Sequence, residues 1–213
     1  MCARYFMELS PELRPIIEEA SRSSLTKNIV KGLRKKLVTE GEVRPTDIAP
    51  VIAPNKSGKQ AVFPMSWGFH LPQSKLPLIN ARLETAPKKP TFQESWERRR
   101  CIIPASYYFE WEHFLNPATG KKKTGDKYLI QTSGSEVTWL AGLYRIETIK
   151  GLSVPVFTVL TREPDDNIRF IHDRMPVILP GAAIHDWIRP DRNPAEVLQE
   201  YKGSTQVVYE KAP

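Results

Sequence analysis

The feature that most limits what this chain can fold into is its texture. Beyond Val43 the apolar residues come in short runs, each closed within a few positions by glycine, proline, asparagine or a charge. Runs at Cys101–Ile103, Tyr107–Trp111, Tyr128–Thr132, Val137–Tyr144, Val154–Thr161, Pro176–Leu179 and Gln206–Tyr209 have the length and the β-branched, aromatic content of strands. Asn55-Lys56-Ser57-Gly58, set between Val51-Ile52 and Ala61-Val62-Phe63, reads as a hairpin turn. Most strands lie close enough in sequence to pair antiparallel. Helices are fewer. Ser10-Pro11 reads as an N-cap followed by proline at the first helical position, and Leu25, Ile29, Leu33 and Leu37 recur every four residues along one helical face. Thr91-Phe92-Gln93-Glu94 has the capping-box spacing, which predicts a helix from Phe92 toward Arg100, and Asn193-Pro194 opens a final helix running through Tyr201. The expectation is therefore α+β, a single domain over residues 1–213, mainly antiparallel and barrel-like with flanking helices.

Composition removes several alternatives. Hydrophobic residues at 40% and charged residues at 26% are globular values, and 213 residues suffice to bury a core without a disulfide or metal staple. No segment approaches the roughly 18 uninterrupted apolar residues of a spanning helix, and Met1–Leu13 lacks a basic stretch leading into an apolar one. The expected location is the cytoplasm, with no membrane partner. Only Cys2 and Cys101 are present, so each is read as a thiol; Cys101 opens an apolar run and is expected to be a buried small hydrophobe. With 31 Lys+Arg against 24 Asp+Glu the formal charge is +7, which favours a polyanionic partner. Arg98, Arg99 and Arg100 end the predicted helix, where the dipole alone is reason for cations.

Four positions can carry chemistry. Cys2 follows Met1, whose removal before a small residue would free a 1,2-aminothiol, with an amine pKa of about 7.7 to 8.0 and a thiol near about 8.5. Such a group can attack an amide as an N-terminal nucleophile, or condense with an aldehyde to a Schiff base and then a thiazolidine. Taken alone, Cys2 weighs no more than any other residue after Met. In Ile79-Asn80-Ala81-Arg82-Leu83-Glu84-Thr85, an extended backbone puts Asn80, Arg82 and Glu84 on one side, a pattern that a half-exposed edge strand also satisfies. Glu110 lies among bulky aromatics in Tyr107-Tyr108-Phe109-Glu110-Trp111-Glu112, where burial would raise its pKa for acid and base work; alternation does not decide between Glu110 and Glu112. His172 precedes a strand in Ile171-His172-Asp173-Arg174-Met175-Pro176. The spacings of His70, His113, His172 and His185 form no metal motif, so no metal is expected. Neither a phosphate loop, a dinucleotide fingerprint nor a Gly-x-Ser-x-Gly elbow occurs.

Met-Cys-x-Arg, Trp67-Gly68, Ile-Asn-Ala-Arg-x-Glu-Thr, Phe109-Glu110-Trp111 and Ile-His-Asp-Arg-Met-Pro occur in this order. Together they resemble the SRAP family, the SOS-response-associated peptidases or abasic-site-processing proteins, from Cys2 to about Trp187. The resemblance implies an SRAP-like fold and covalent capture of abasic sites in single-stranded DNA through a thiazolidine on Cys2, during the DNA damage response. It implies that Asn80 positions the amine, Glu110 shuttles protons and His172 assists opening of the sugar. Arg4 and Arg82 would hold flanking phosphates, and Trp67 would lie near the DNA path. The implied protein is a monomer, nucleoid-associated when on DNA, and needs no cofactor. A Schiff-base intermediate also admits lyase activity. The alternatives are an N-terminal cysteine peptidase or autoprotease using the same residues, and a non-covalent DNA-binding module. Two positions depart from the family pattern: Ala3 stands where Gly is common, and Glu42-Val43-Arg44-Pro45 replaces an Asn-containing segment. A carboxylate there is unfavourable near DNA unless paired, with Arg44 as the nearest partner.

Overall fold

The computed structural model describes residues 2–115 and 119–212. The chain opens with β1 (Tyr5–Met7), α1 (Arg14–Arg22), α2 (Ser24–Leu33), β2 (Gly41–Val43), the hairpin β3 (Ile48–Pro54) and β4 (Gln60–Trp67), β5 (Asn80–Arg82) and α3 (Pro90–Arg98). A run of long strands follows: β6 (Arg100–Ala105), β7 (Tyr107–Leu115), β8 (Lys122–Thr132), β9 (Thr138–Ile149) and β10 (Leu152–Arg162). Short β11 (Met175–Pro176) and β12 (Ile178–Leu179), α4 (Ile184–Ile188), α5 (Pro194–Glu200) and β13 (Val207–Lys211) complete it.

Five strands close on themselves. β4 pairs with β3, β3 with β6, β6 with β9, β9 with β10, and β10 returns to β4, so the ring leaves no edge among those five. The closing contact is parallel, Val156 opposite Ser66 and Phe157 opposite Trp67, and β5 continues the same line with Asn80 opposite Val159. The other ladders are antiparallel, in keeping with the α+β expectation. A second sheet runs β13-β8-β7-β1-β2 and joins the barrel through Ser106, the residue between β6 and β7. Gly142 shows how tightly the barrel is filled, because a Cβ there would sit 2.4 Å from Ile103 Cδ1 and 2.8 Å from the Thr158 carbonyl.

The 55–58 hairpin forms as the sequence predicts. Asn55 Oδ1 accepts from the Ser57 and Lys59 amides at 2.9 and 3.0 Å, and Gly58 supplies φ +76°. Asn193 caps α5 by accepting from the Ala195 amide at 2.9 Å. Three helix boundaries differ. The Ser10 side chain accepts from the Leu13 amide at 3.2 Å in a turn, and α1 begins only at Arg14. α2 ends at Leu33 because Arg34 turns left-handed at φ 55°, so Leu37 leaves the helix and bridges Ile48 in parallel. The capping box at Thr91 is not used: Pro90 occupies the first helical turn, Lys89 is the cap residue and makes no side-chain cap bond, and Thr91 sits inside α3.

Arg100 turns the cationic end of α3 into a structural pin. Its side chain is fully buried and donates to the carbonyls of Trp96 and Glu97 at the helix end, and to those of Trp187, Arg189 and Arg192 across the α4 region. Burial lowers its pKa to about 10, which leaves the guanidinium charged at neutral pH.

Candidate active site

β1 is gripped between β2 and β7, with Tyr5 opposite both Val43 and Tyr108. The ladder extends one residue beyond the strand, since the Phe109 amide donates to the Arg4 carbonyl at 3.0 Å. This fixes Cys2, which is fully buried, with its thiol making a weak contact to the Arg4 carbonyl at 3.7 Å. β5, laid along β10, delivers Asn80 from the other sheet. Asn80 Nδ2 donates to the Cys2 carbonyl at 2.9 Å, and its buried Oδ1 has no hydrogen-bond partner among the described residues. Asn80 therefore holds the main chain of Cys2 and keeps one acceptor in reserve.

Glu110 lies two residues beyond Tyr108 on β7 and is 4% exposed, so it is the inward carboxylate of the Glu110, Glu112 pair. Burial pushes its carboxyl above the usual carboxylate range. Burial also pushes the Cys2 thiol far up, and the Glu110 carboxylate adds to that rise, which sets the two groups within electrostatic reach of each other. The thiol is protonated at neutral pH. Two phenols nearby, Tyr5 and Tyr108, are fully buried, and burial, with the Cys2 charge adding to it, pushes both above the ordinary phenol range.

His172 enters from the loop before β11. The His113 amide donates to the Ile171 carbonyl at 3.1 Å, fastening that loop to β7. A donor atom of Glu110 and one of His172 lie within 4.8 Å of each other. Nδ1 of His172 meets a donor, the Arg174 amide at 3.0 Å, and an acceptor, Asp173 Oδ1 at 2.8 Å. The amide is fixed in the turn while Asp173 is 81% exposed, so the two contacts hold the imidazole by Nδ1.

The two arginines expected on flanking phosphates sit in different surroundings. Arg82 is exposed and lines a cavity of about 370 Å³ together with His172 and Lys123, with no carboxylate in ion-pair range among the described residues. Arg4 is shared: Nη1 meets Glu42 Oε1 at 3.1 Å, Arg44 Nε meets the same oxygen at 2.7 Å, and the Arg4 guanidinium lies 5.4 Å from the Trp111 ring centre. Burial alone would raise the Glu42 carboxyl, but the Arg44 and Arg4 guanidiniums outweigh it and bring it below its ordinary range. The Trp67 expectation is corrected. Its ring is fully buried between Tyr5 and Phe157, at centroid distances of 5.3 and 5.8 Å, and its Nε1 donates to the Ile79 carbonyl at 3.0 Å, so it presents no face to DNA. It packs between β1 and β10 and holds the start of β5 through Ile79. Gly68 beside it is obligatory, because φ is +116° and a Cβ would meet Pro77 at 2.6 Å.

Cys101, the second thiol, is fully buried in β6 and raised by burial, as its apolar run implied. A separate cavity of about 830 Å³ is lined by Leu83, Trp96, Leu179 and Leu198 among others, and by none of the candidate site residues. Sequence reasoning missed Tyr5, Tyr108 and His113 as neighbours of the site. The sole signal for Tyr108 was its two-residue spacing from Glu110.

A closed barrel joined to a sheet whose first strand carries a buried cysteine against asparagine, glutamate and histidine defines the class. The chain belongs to the SOS response associated peptidase (SRAP) family, which it matches over residues 1–211. It is 32% identical over 175 residues to the abasic site processing protein YobE of Bacillus subtilis (strain 168), covering 77% of either chain. The match to YoqW of the same organism, also named an abasic site processing protein, is 32% over 175 residues, 77% of this chain and 75% of that one. Its fold resembles the crystal structure of a protein from Bacteroides thetaiotaomicron, with TM-score 0.73 and 21% identity, covering 100% of this chain and 92% of that one.

Proposed function

We propose that this protein processes abasic sites in single-stranded DNA by closing a thiazolidine between Cys2, freed of Met1, and the open-chain aldehyde of the lesion. The observation that carries the reading is Asn80 gripping the Cys2 carbonyl at 2.9 Å beside the buried Glu110 carboxyl. The amine adds to the aldehyde carbon and the aldehyde oxygen leaves as water, giving a Schiff base. The sulfur then adds to the imine carbon, and the ring nitrogen ends as a secondary amine. Aldehyde and aminothiol thus yield thiazolidine and one water.

Each residue has a task in that sequence. Because burial keeps the thiol protonated, the amine reacts first and the sulfur needs a base at closure; Glu110, whose carboxyl burial pushes up, takes and returns that proton. Asn80 Oδ1 accepts from the freed amine, and His172 protonates the sugar oxygen as the hemiacetal opens. Arg82 and Arg4 bind flanking phosphates. A missing base offers no edge to read, so recognition is by shape and backbone charge, and a single chain suffices. Ring closure by sulfur consumes the Schiff base from which β-elimination would otherwise proceed. The relatives' names, abasic site processing proteins, support the substrate class. The test is Cys2→Ala with a single-stranded abasic oligonucleotide: the variant gives no heat- and SDS-stable adduct, and an undiminished adduct would sink the proposal.

A further inference from the structure

Strict alternation on β7 would place Glu110 and His113, three residues apart, on opposite faces. The ladder to β8 slips between Trp111 and His113, where Trp111 faces Lys127 but His113 faces Thr124. Such an irregularity sharpens the local twist. At this point one donor atom each of Glu110, His113 and His172 lies within 4.8 Å of the other two. The two imidazole rings meet edge to face at a centroid distance of 5.1 Å, and the His113 amide ties the His172 loop to β7. The sequence showed no metal motif because these ligands come from one irregular strand and one distant turn.

We infer that Glu110, His113 and His172 form a binding site for one divalent ion of the zinc class, and that an ion held there blocks the candidate active site reversibly. Two imidazoles and a carboxylate suit such an ion and leave one position open. Around a tetrahedral centre with bonds of about 2.0–2.1 Å the donors sit about 3.4 Å apart, so the side chains must close by no more than about 1.4 Å. His113 is exposed and free to swing, while Glu110 is fixed in the sheet. His172 is held in its turn through Nδ1, by the Arg174 amide at 3.0 Å and Asp173 Oδ1 at 2.8 Å. Asp173 Oδ1, 2.8 Å from Nδ1 of His172, is the carboxylate that would orient and polarise a metal-bound imidazole. The ion would occupy the carboxylate and the imidazole that the proposed chemistry uses, whereas His113 has no part in that chemistry.

The aminothiol of Cys2 is itself a chelator, so binding is measured in Cys2→Ala, with folding of every variant verified by thermal melting. Zn²⁺ titrated into Cys2→Ala by calorimetry binds one ion per chain, and Co²⁺ gives a visible ligand-field band without a sulfur charge-transfer band. Adding His113→Ala weakens both at least tenfold, and adding Asp173→Asn weakens them about 10- to 100-fold. No saturable binding in Cys2→Ala, or binding unchanged by His113→Ala, overturns the site. Since Cys2→Ala cannot form a thiazolidine, these results stand apart from the proposed function. In chains with Cys2 intact, Zn²⁺ suppresses adduct formation, chelator restores it, and His113→Ala resists the ion. Equal sensitivity of His113→Ala would place the inhibitory ion on Cys2 and overturn the blocking role.

Discussion

Asn80→Ala removes one hydrogen bond whose consequence can be worked through. Asn80 Nδ2 is the donor to the Cys2 carbonyl at 2.9 Å, in a residue with no solvent exposure, so water cannot take its place without opening the site. Leaving a buried carbonyl without its partner costs about 1–3 kcal/mol. If that bond fixes Cys2 in its reactive position, the cost appears in the barrier, and about 1.4 kcal/mol per tenfold converts it to a crosslinking rate about 5- to 150-fold slower. Asn80→Asp keeps the shape but exchanges the donor for a second acceptor, so it fails to restore the rate, which separates the hydrogen bond from packing. The assay is single-turnover adduct formation, protein in excess over a single-stranded abasic oligonucleotide, quenched in SDS and read on a denaturing gel. Parallel melts confirm that β5 still pairs with β10. An Asn80→Ala rate within twofold of the parent refutes the reasoning.

Three further outcomes follow from the same geometry. Glu110→Gln slows adduct formation by about 10²- to 10⁴-fold, the range of general acid–base catalysis. It also stabilises: burial raises the folded pKa above the unfolded value of about 4.3, so stability falls as pH rises through the raised pKa, and only the parent loses it. The melting-temperature gap in favour of Gln therefore opens above about pH 4, as pH rises through the raised pKa, and a gap that stays constant or reverses contradicts the assignment. Glu42→Gln releases Arg4 and Arg44, so single-stranded DNA binds more tightly and the slope of log affinity against log salt steepens by about 0.7 per phosphate gained; an unchanged slope in fluorescence anisotropy argues against it. Arg100→Met strands five carbonyls and costs about 3–5 kcal/mol, or about 6–20 °C of melting temperature, where a loss under about 2 °C would show that the pin is dispensable.

Legibility in the sequence tracked how local each determinant is. The 55–58 hairpin and the α5 cap were readable because Asn55, Gly58 and Asn193 act within four residues. Strand positions were readable from composition, whereas the closure of β10 onto β4 was not, because a parallel contact between Phe157 and Trp67 leaves no periodic trace. The Thr91 box failed because Pro90 already supplies a first-turn residue that needs no donor partner. At the site, Cys2, Asn80, Glu110 and His172 were nameable from their motifs and the structure brings them together, though Asn80 was expected at the amine and is bonded to the carbonyl. Trp67 misled because a Trp-Gly pair between prolines reads alike for an exposed wedge and a buried prop. His113 was invisible because strict alternation on β7 assigns it to the face opposite Glu110, yet it lies beside Glu110 and His172.

The central claim is chemical, and mass tests it most directly. Intact-protein mass spectrometry would follow the chain after incubation with a single-stranded oligonucleotide carrying one uracil, with and without uracil-DNA glycosylase. The predicted species, seen only with the glycosylase, has the mass of the protein lacking Met1 plus the abasic oligonucleotide minus one water. Protein that has lost Met1 yet stays unmodified beside a confirmed abasic strand would contradict the account.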